Sequence, residues 1–526
     1  MMTNITCFQY TFTFLVLWFV SVLFLHVLFK RQARQVSHGL HLPPSPPALP
    51  VIGHLHYITS VVFEGFHNVS VKYGPLLYLR LVTYPFVLVS SAPLATEIFR
   101  THDLNFSDRI KSPFEDSLLF GSSVSFFNAP YGEYWKFMKK ISMTELLGSA
   151  QIKRSRNVRR EELLRFLNKI LEKAQTNEVV DLSAQVLILS NNSTCRMIMS
   201  ARCSGEDNEA ERCRQLIFES FELATKLAFA SLFGPFRKLF ALAFQKQLEE
   251  IPRKYDELFE KVLQEHEDRA KMDGGEREEK DLMDILLKVY HDTNAEVKIT
   301  RAQIKTFFLD LFIGGTRTTA DGILFLMGEL INHPEKFKKL RDEIDSVVGK
   351  NRLVEESDVP NLPYLQAAVK ETMRLHPPVP LFDRVCRETC KVGGYDMPKG
   401  MTVVMNVYSV MRDPKVWEDP NEFKPERFLV SDKEQDKQGE AARGLCDFVP
   451  FGGGRRQCPG TNLSMSITHA SVAAMVQCFD WKVANSANKA NLEPRSGLTL
   501  SLAKPLLCQP MVRVAPFPAQ NGNSST

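Results

Sequence analysis

Ten residues near the C-terminus, Phe451-Gly-Gly-Gly-Arg-Arg-Gln-Cys-Pro-Gly460, constrain this chain more than any other stretch. They put one thiol, Cys458, in a glycine-rich loop just ahead of a long apolar segment, Asn462 to Trp481. A lone thiolate in such a loop is what a haem iron needs as its single protein ligand. Thiolate ligation pushes electron density onto the iron and favours O–O cleavage. Its neighbours have physical jobs in that reading. Gly454 and Gly460 let the backbone approach a macrocycle closely and take φ > 0 where a turn needs it. Arg456 offers a fixed fork of donors for a propionate carboxylate. Pro459 removes one N–H beside the sulfur and stiffens the loop, and Phe451 heads the same cofactor-binding set. A structural cysteine in a turn would account for Cys-Pro-Gly alone. It does not account for the spaced string Phe-x-x-Gly-x-Arg-x-Cys-x-Gly.

The 526 residues are 44% hydrophobic and 24% charged, as in a folded globular protein without strong bias. A formal charge of +4 is too small to suggest nucleic acid as a partner, and no Lys/Arg run resembles a binding arm. The ten cysteines show no CxxC pair and no zinc spacing. They read as reduced thiols in a cytosol-facing domain, with Cys386 and Cys390 as incidental strand residues.

The N-terminus differs from the body. Met1 to Phe29 holds no Asp, Glu, Lys or Arg, and Thr11 to Phe29 is almost continuously apolar. Nineteen helical residues span roughly 28 Å, about the hydrocarbon thickness of a bilayer. Lys30, Arg31 and Arg34 follow at once, which by the positive-inside rule leaves the body in the cytosol. A cleaved signal peptide carries its charge before the apolar run and small residues after it, and neither is present. Residues 1–29 are expected to be a single uncleaved transmembrane anchor and 30–53 a basic, proline-rich hinge. Residues 54–515 would form one large domain and 516–526 a frayed tail. Five prolines between 43 and 51 rule out a helix in the hinge and make it a stiff spacer.

Within the body, Leu76 to Arg80 and Phe86 to Ser90 read as two short strands. From about Ala92 to Leu330 the pattern is mainly helical. Glu265 to Asp281, with Gly274-Gly275, reads as a solvated connector between helices, and Ser431 to Gly444 as a second polar insertion. No internal repeat appears, so the expected fold is mainly α with small β-sheets.

Three further groups carry chemistry. The helical segment Thr300 to Asn332 contains Gly314-Gly315-Thr316-Arg317-Thr318-Thr319. Two glycines inside a helix cost about 1 kcal/mol each relative to alanine. Close helix packing would explain them, as would cleared space over a cofactor face with a threonine hydroxyl locally opening the helix. Glu371 and Arg374 lie at i and i+3 on the segment Tyr364 to Leu375, which ends at His376-Pro-Pro378; they share a face and can pair bidentately. Arg427, in Pro425-Glu-Arg-Phe428, can join them in a buried lock. Trp135 and Lys139 are one helical turn apart, so that the ring could cover a haem edge while the ammonium meets a propionate. Arg384 is another candidate propionate partner.

In this order, the hinge, the Trp135 helix, Gly314 to Thr319, Glu371-x-x-Arg374, Pro425-Glu-Arg-Phe428 and the Cys458 loop resemble those of a plant microsomal (A-type) cytochrome P450, over about residues 40 to 515. Ala129-Pro-Tyr-Gly-Glu-Tyr-Trp-Lys-Phe-Met-Lys139 and Gln477-Cys-Phe-Asp-Trp-Lys482 are similar to the branch that oxidises triterpenoids and flavonoids. The resemblance implies a cytochrome P450 fold behind one transmembrane helix in the endoplasmic reticulum membrane, with the catalytic domain facing the cytosol. It implies haem b with Cys458 as axial thiolate, and NADPH-dependent insertion of one atom of O2 into a C–H bond of a lipophilic small molecule. NADPH-cytochrome P450 reductase would be the electron donor. Thr318, with Arg317 and Gly315 beside it, would form the catalytic turn, Thr318 matching the threonine that serves proton supply during oxygen activation. Substrate-contact regions would fall near Ser107 to Phe127, Phe308 to Thr318, Val379 to Phe382 and Leu498 to Leu500, all notably apolar.

Two residues depart from the family pattern. Lys139 stands where many relatives have arginine, which keeps the charge and loses bidentate geometry. Arg317 stands where the family usually has Asp or Glu, and a cation cannot relay protons as a carboxylate does. The leading expectation is hydroxylation of a pentacyclic triterpenoid, with successive oxidation to an acid as its extension and a flavonoid or isoflavonoid as the alternative substrate. Two further alternatives stay open: a reductase-independent isomerase or dehydratase, and a non-catalytic haem-binding membrane protein.

Overall fold

The computed structural model describes residues 39–111, 125–200, 209–234, 237–272, 281–429, 448–484, 489–495, 497 and 499–517. The anchor over 1–29, the basic start of the hinge, the insertion 431–444 and the tail from 518 lie outside the described residues. Among the described residues no helix is long and apolar enough to cross a membrane.

The hinge residues that are described dock on the body rather than standing off it. The Pro44 carbonyl accepts from Tyr78 N at 2.9 Å, and His54 Nε2 meets the Pro46 carbonyl at 2.9 Å. A short helix, α1 (Val62–Tyr73), leads into strands β1 (Leu76–Leu81) and β2 (Tyr84–Val89). These cover the two segments expected as strands apart from Ser90, which lies one residue beyond β2, and they pair antiparallel from Leu76↔Val89 to Leu81↔Tyr84.

The helical body follows: α2 (Glu133–Ile141), α3 (Arg156–Gln175), α4 (Leu182–Met199), α5 (Glu209–Ser231), α6 (Gln245–Met272), α7 (Leu282–His291) and α8 (Arg301–Asn332). The two-residue strand β3 (Val180–Asp181) precedes α4. Helix α8 begins at Thr300, whose hydroxyl accepts from Gln303 N while the Gln303 side chain accepts from Thr300 N. This capping box satisfies two donors that a helix start leaves open. Twenty residues of α8 are buried, so it runs through the core, packed against α4 and the C-terminal α11 (Thr461–Cys478).

The connector expected over Glu265 to Asp281 is shorter than its charge suggested. α6 continues through Met272, because His266 is buried and its Nε2 lies 2.9 Å from Asp281 Oδ2 at the start of α7. Residues 273–280 are outside the described set.

After α9 (Pro334–Val347) and α10 (Pro363–Leu375), the chain enters β4 (Leu381–Val385), β5 (Cys390–Val392), β6 (Tyr395–Met397) and β7 (Thr402–Asn406). Cys390 falls within β5, whereas Cys386 lies one residue beyond β4. The main sheet runs β1-β2-β7-β4. Its β2–β7 pair is parallel, and a parallel pair needs a crossover connection; here the whole helical body is that crossover. Strands β8 (Phe479–Val483) and β9 (Leu507–Val512) close a second small sheet with β3.

Candidate functional site

The loop from Phe451 to Gly460 is closed on itself. Cys458 N donates to the Phe451 carbonyl at 3.0 Å, and Gln457 N to that of Gly454 at 3.0 Å. Gly454 is left-handed, with φ +66°, as the sequence led us to expect, but what it approaches is protein: an added Cβ would lie 2.2 Å from Asp103 Oδ1. Arg455 N donates to the same oxygen at 2.7 Å. Gly460 has φ −83°. It needs no left-handed backbone, and a Cβ there would lie 3.8 Å from Cys458 Sγ. Cys458 is exposed, yet burial by surrounding protein pushes its thiol pKa up, against the pull of the Gly460 N–H, the Lys139 charge, the Thr461 hydroxyl and Arg109. The thiol is thus crowded by protein and still accessible.

Cations gather around this loop. Arg456 is buried and donates through Nε to the Ser107 carbonyl at 2.7 Å and through Nη2 to that of Ala129. Its guanidinium carbon is 4.4 Å from the Trp135 ring centroid. Trp135, expected over a haem edge, is packed between this guanidinium and the Phe126 ring, parallel within 9° at 5.8 Å. Lys139 donates to the Gln457 carbonyl at 2.9 Å, so it braces the loop backbone. Arg384 projects from β4 and is buried; burial together with Arg109 and Arg456 lowers its pKa. Burial and Arg109 lower that of Arg456 to about 9.

Arg109 was not legible in the sequence, where a lone arginine after Phe106-Ser-Asp has no periodicity to mark it. In the structure it lies 3.9 Å from the Phe127 ring centroid and 4.0 Å from Asp383. Burial lowers the pKa of Arg109 too, against the pull of Asp383, Asp310 and Cys458, and three arginines beside an accessible thiol form a donor set suited to a dianionic haem. The fit rests on these cations and on the thiol.

On α8, the expected helix opening is absent: the helix is continuous from Arg301 to Asn332, and the Thr318 hydroxyl donates to the Gly314 carbonyl at 2.6 Å. The two glycines divide. A Cβ on Gly314 meets nothing within 4 Å, whereas one on Gly315 would lie 3.1 Å from Thr194 Cγ2 of α4. Gly314 therefore clears space, and Gly315, the one expected in the catalytic turn, packs helix on helix. Arg317 turns to Asp321, with Nε 3.5 Å from Oδ2. One turn before Gly314, Asp310 accepts from the Ser125 hydroxyl and Phe127 N at 3.0 Å; burial pushes its pKa up to about 7. Asp310 and Asp321 were also unmarked in the sequence. Of the expected substrate-contact regions, 112–124 and Leu498 lie outside the described residues.

The structure brings Glu371, Arg374 and Arg427 together. Arg374 meets both Glu371 oxygens, at 2.7 and 2.9 Å, with both side chains fully buried. Arg427 Nε adds a third contact at 3.2 Å. Arg374 also donates to the carbonyls of Met411, Pro420 and Glu422. A separate cavity of about 30 Å³ between α3, α4 and α11 contains none of these residues.

The family model described as Cytochrome P450 matches residues 43–508. "Cytochrome P450 705A5" of Arabidopsis thaliana is 46% identical, over 96% of this chain and 98% of its own. "Beta-amyrin 24-hydroxylase" of Glycine max is 40% identical, over 96% and 98%. A zebra fish cytochrome P450 solved with abiraterone superposes with a TM-score of 0.70 at 26% identity, covering 85% of this chain and 98% of that one.

Proposed function

The chain belongs to the cytochrome P450 family and is a haem-thiolate monooxygenase, and from that premise we propose that it hydroxylates a bulky lipophilic plant metabolite, a pentacyclic triterpenoid, with further oxidation to an acid as an extension of the same chemistry. The observation that carries the substrate class is the 40% identity, over nearly the full length of both chains, to a protein named for hydroxylating β-amyrin, itself a pentacyclic triterpene.

Cys458 would hold the haem iron, and Arg456, Arg384 and Arg109 would meet the propionates. Bound there, the haem supplies the iron that activates O2 and inserts one oxygen atom into a C–H bond. The chain's own residues do the rest. Lys139 and Phe451 hold the loop shape, Gly314 leaves room for the substrate, and Thr318 presents a hydroxyl beside it. Glu371, Arg374 and Arg427 keep α10 and the 411–427 segment in register below.

Electrons come, in this reading, from NADPH-cytochrome P450 reductase at the endoplasmic reticulum membrane. Exposed Phe229, Leu239, Phe240 and Leu242 support a membrane-facing side. They lie close in sequence to Leu232, whose carbonyl accepts from the Thr83 hydroxyl beside the hinge.

Expression with a plant reductase in yeast strains making different triterpene scaffolds, followed by mass spectrometry, tests the proposal. New oxidised triterpenes that require NADPH are expected. Oxidised flavonoids with no triterpene product would overturn the substrate, and product without NADPH would overturn the reaction.

A further inference from the structure

Arg317 stands one residue before Thr318 where the family pattern has an acid, and its side chain is firmly held. On α8 the positions 310, 314, 317, 318 and 321 follow the i, i+4, i+7, i+8, i+11 spacing that forms one stripe of a helix. In a helix otherwise mostly buried and apolar, that stripe carries Asp310, Arg317, Thr318 and Asp321. Arg317 Nε lies 3.5 Å from Asp321 Oδ2 and 3.4 Å from Ser501 Oγ, and Ser501 Oγ donates to the same Oδ2 at 2.7 Å. These three atoms close a triangle that ties α8 to the segment leading into β9.

Only Nε of the guanidinium is taken up this way. Its two Nη groups have no hydrogen-bond partner among the described residues; the guanidinium carbon lies 5.9 Å from the Phe218 ring centroid, and the side chain keeps 18% of its surface exposed. Fixed, charged donors of this kind order water. Arginine cannot release a proton itself, so its contribution on this face lies in where it holds water.

We propose that Asp321 is a positioning residue for the monooxygenation: with Ser501 it fixes Arg317, so that the free Nη groups hold the proton-supplying water beside Thr318. The proposal rests on the monooxygenase reading. Asp321 is 5% exposed, and burial pushes its pKa up to about 6, against the pull of Arg317 and Ser501. Arg317 is the charged group facing it. Ser501 is the neutral partner from the neighbouring segment, and Arg495 stands beyond, against the Phe218 ring.

The test needs no substrate. Driven by reductase without substrate, the full-length enzyme reduces O2 along two routes. One NADPH and one proton per O2 give hydrogen peroxide; two NADPH and two protons give two waters. Ordered proton supply favours water. The wild type is expected to shift toward peroxide as pH falls through about 6. Asp321→Asn should release several-fold more peroxide per NADPH at neutral pH and lose that pH dependence, with Asp321→Glu restoring both. Infrared difference spectra of the haem-loaded protein between acid and neutral pH should contain a carboxylic C=O band that Asp321→Asn removes. If Asp321→Asn does not accumulate, Ser501→Ala serves, with a partial rise in peroxide. A wild type lacking a thiolate-type carbon monoxide spectrum or reductase-dependent NADPH use would overturn the monooxygenase reading. A competent wild type whose peroxide ratio and infrared band are unchanged in the variants would overturn the role of Asp321 alone.

Discussion

At Gly454 two demands coincide: a left-handed backbone and an Asp103 oxygen where a side chain would begin. The backbone term alone costs an L-residue about 1–2 kcal/mol, and a methyl group must also displace Asp103 from Arg455 N. Gly454→Ala is therefore expected to lower the thermal midpoint and the yield of the thiolate-type carbon monoxide spectrum together, whereas Gly460→Ala, at φ −83°, should be far milder. Asp310 makes a separate prediction. Its folded pKa of about 7 lies above the ordinary 3.8, so its contribution to stability is fully present below about pH 4 and is lost as pH rises toward 7. Asp310→Asn should flatten that part of the stability profile, measured by thermal unfolding between pH 4 and 8; an unchanged slope would contradict the assignment. Neither Asp310 nor Arg109 could be picked out from sequence. One is an acid set in an apolar run and the other an arginine in a loop with no periodicity, and their significance comes only from the neighbours that folding supplies.

Elements with strong local signals were readable in advance. The segment Thr300 to Asn332 and the stop at His376 before two prolines rest on chemistry local to a few residues, and both hold in α8 and α10. The adjacent glycines of α8 were legible as a pair but not in their division of labour, since helical phase relative to α4 is a tertiary fact. That division is testable. Gly314→Ala should gain up to about 1 kcal/mol of helix propensity, because nothing lies within 4 Å. Gly315→Ala must push Thr194 and should fall below it in thermal midpoint. Equal midpoints would show that packing against α4 does not distinguish them. The end of α6 misled for the opposite reason: its charge density suits a solvated connector, and one buried histidine bound to Asp281 keeps it helical.

For the molecule as a whole, the order of landmarks along the chain was legible, while their convergence was not. Fifty-six positions separate Glu371 from Arg427, yet they share one buried network. Removing one partner of a buried ion pair costs about 3–5 kcal/mol, against about 5–15 kcal/mol for a whole domain. Glu371→Ala is thus expected to give little soluble haem protein, and Arg374→Lys should fail as well, because a single ammonium cannot serve both carboxylate oxygens and three carbonyls. The absorbance of the carbon monoxide complex per milligram of purified chain measures both.

The thiol loop reaches much farther back. Its contacts with Asp103, Ser107, Ala129 and Lys139 span 352, 349, 327 and 318 positions. During synthesis, these partners therefore leave the ribosome long before the loop that meets them. A chain halted between Val385 and Phe451 has Arg109, Lys139, Arg384 and its long central helix but neither Arg456 nor the ligand, and its apolar surfaces stay exposed to aggregation. Cofactor capture is accordingly a late step, coupled to the final segment of the polypeptide.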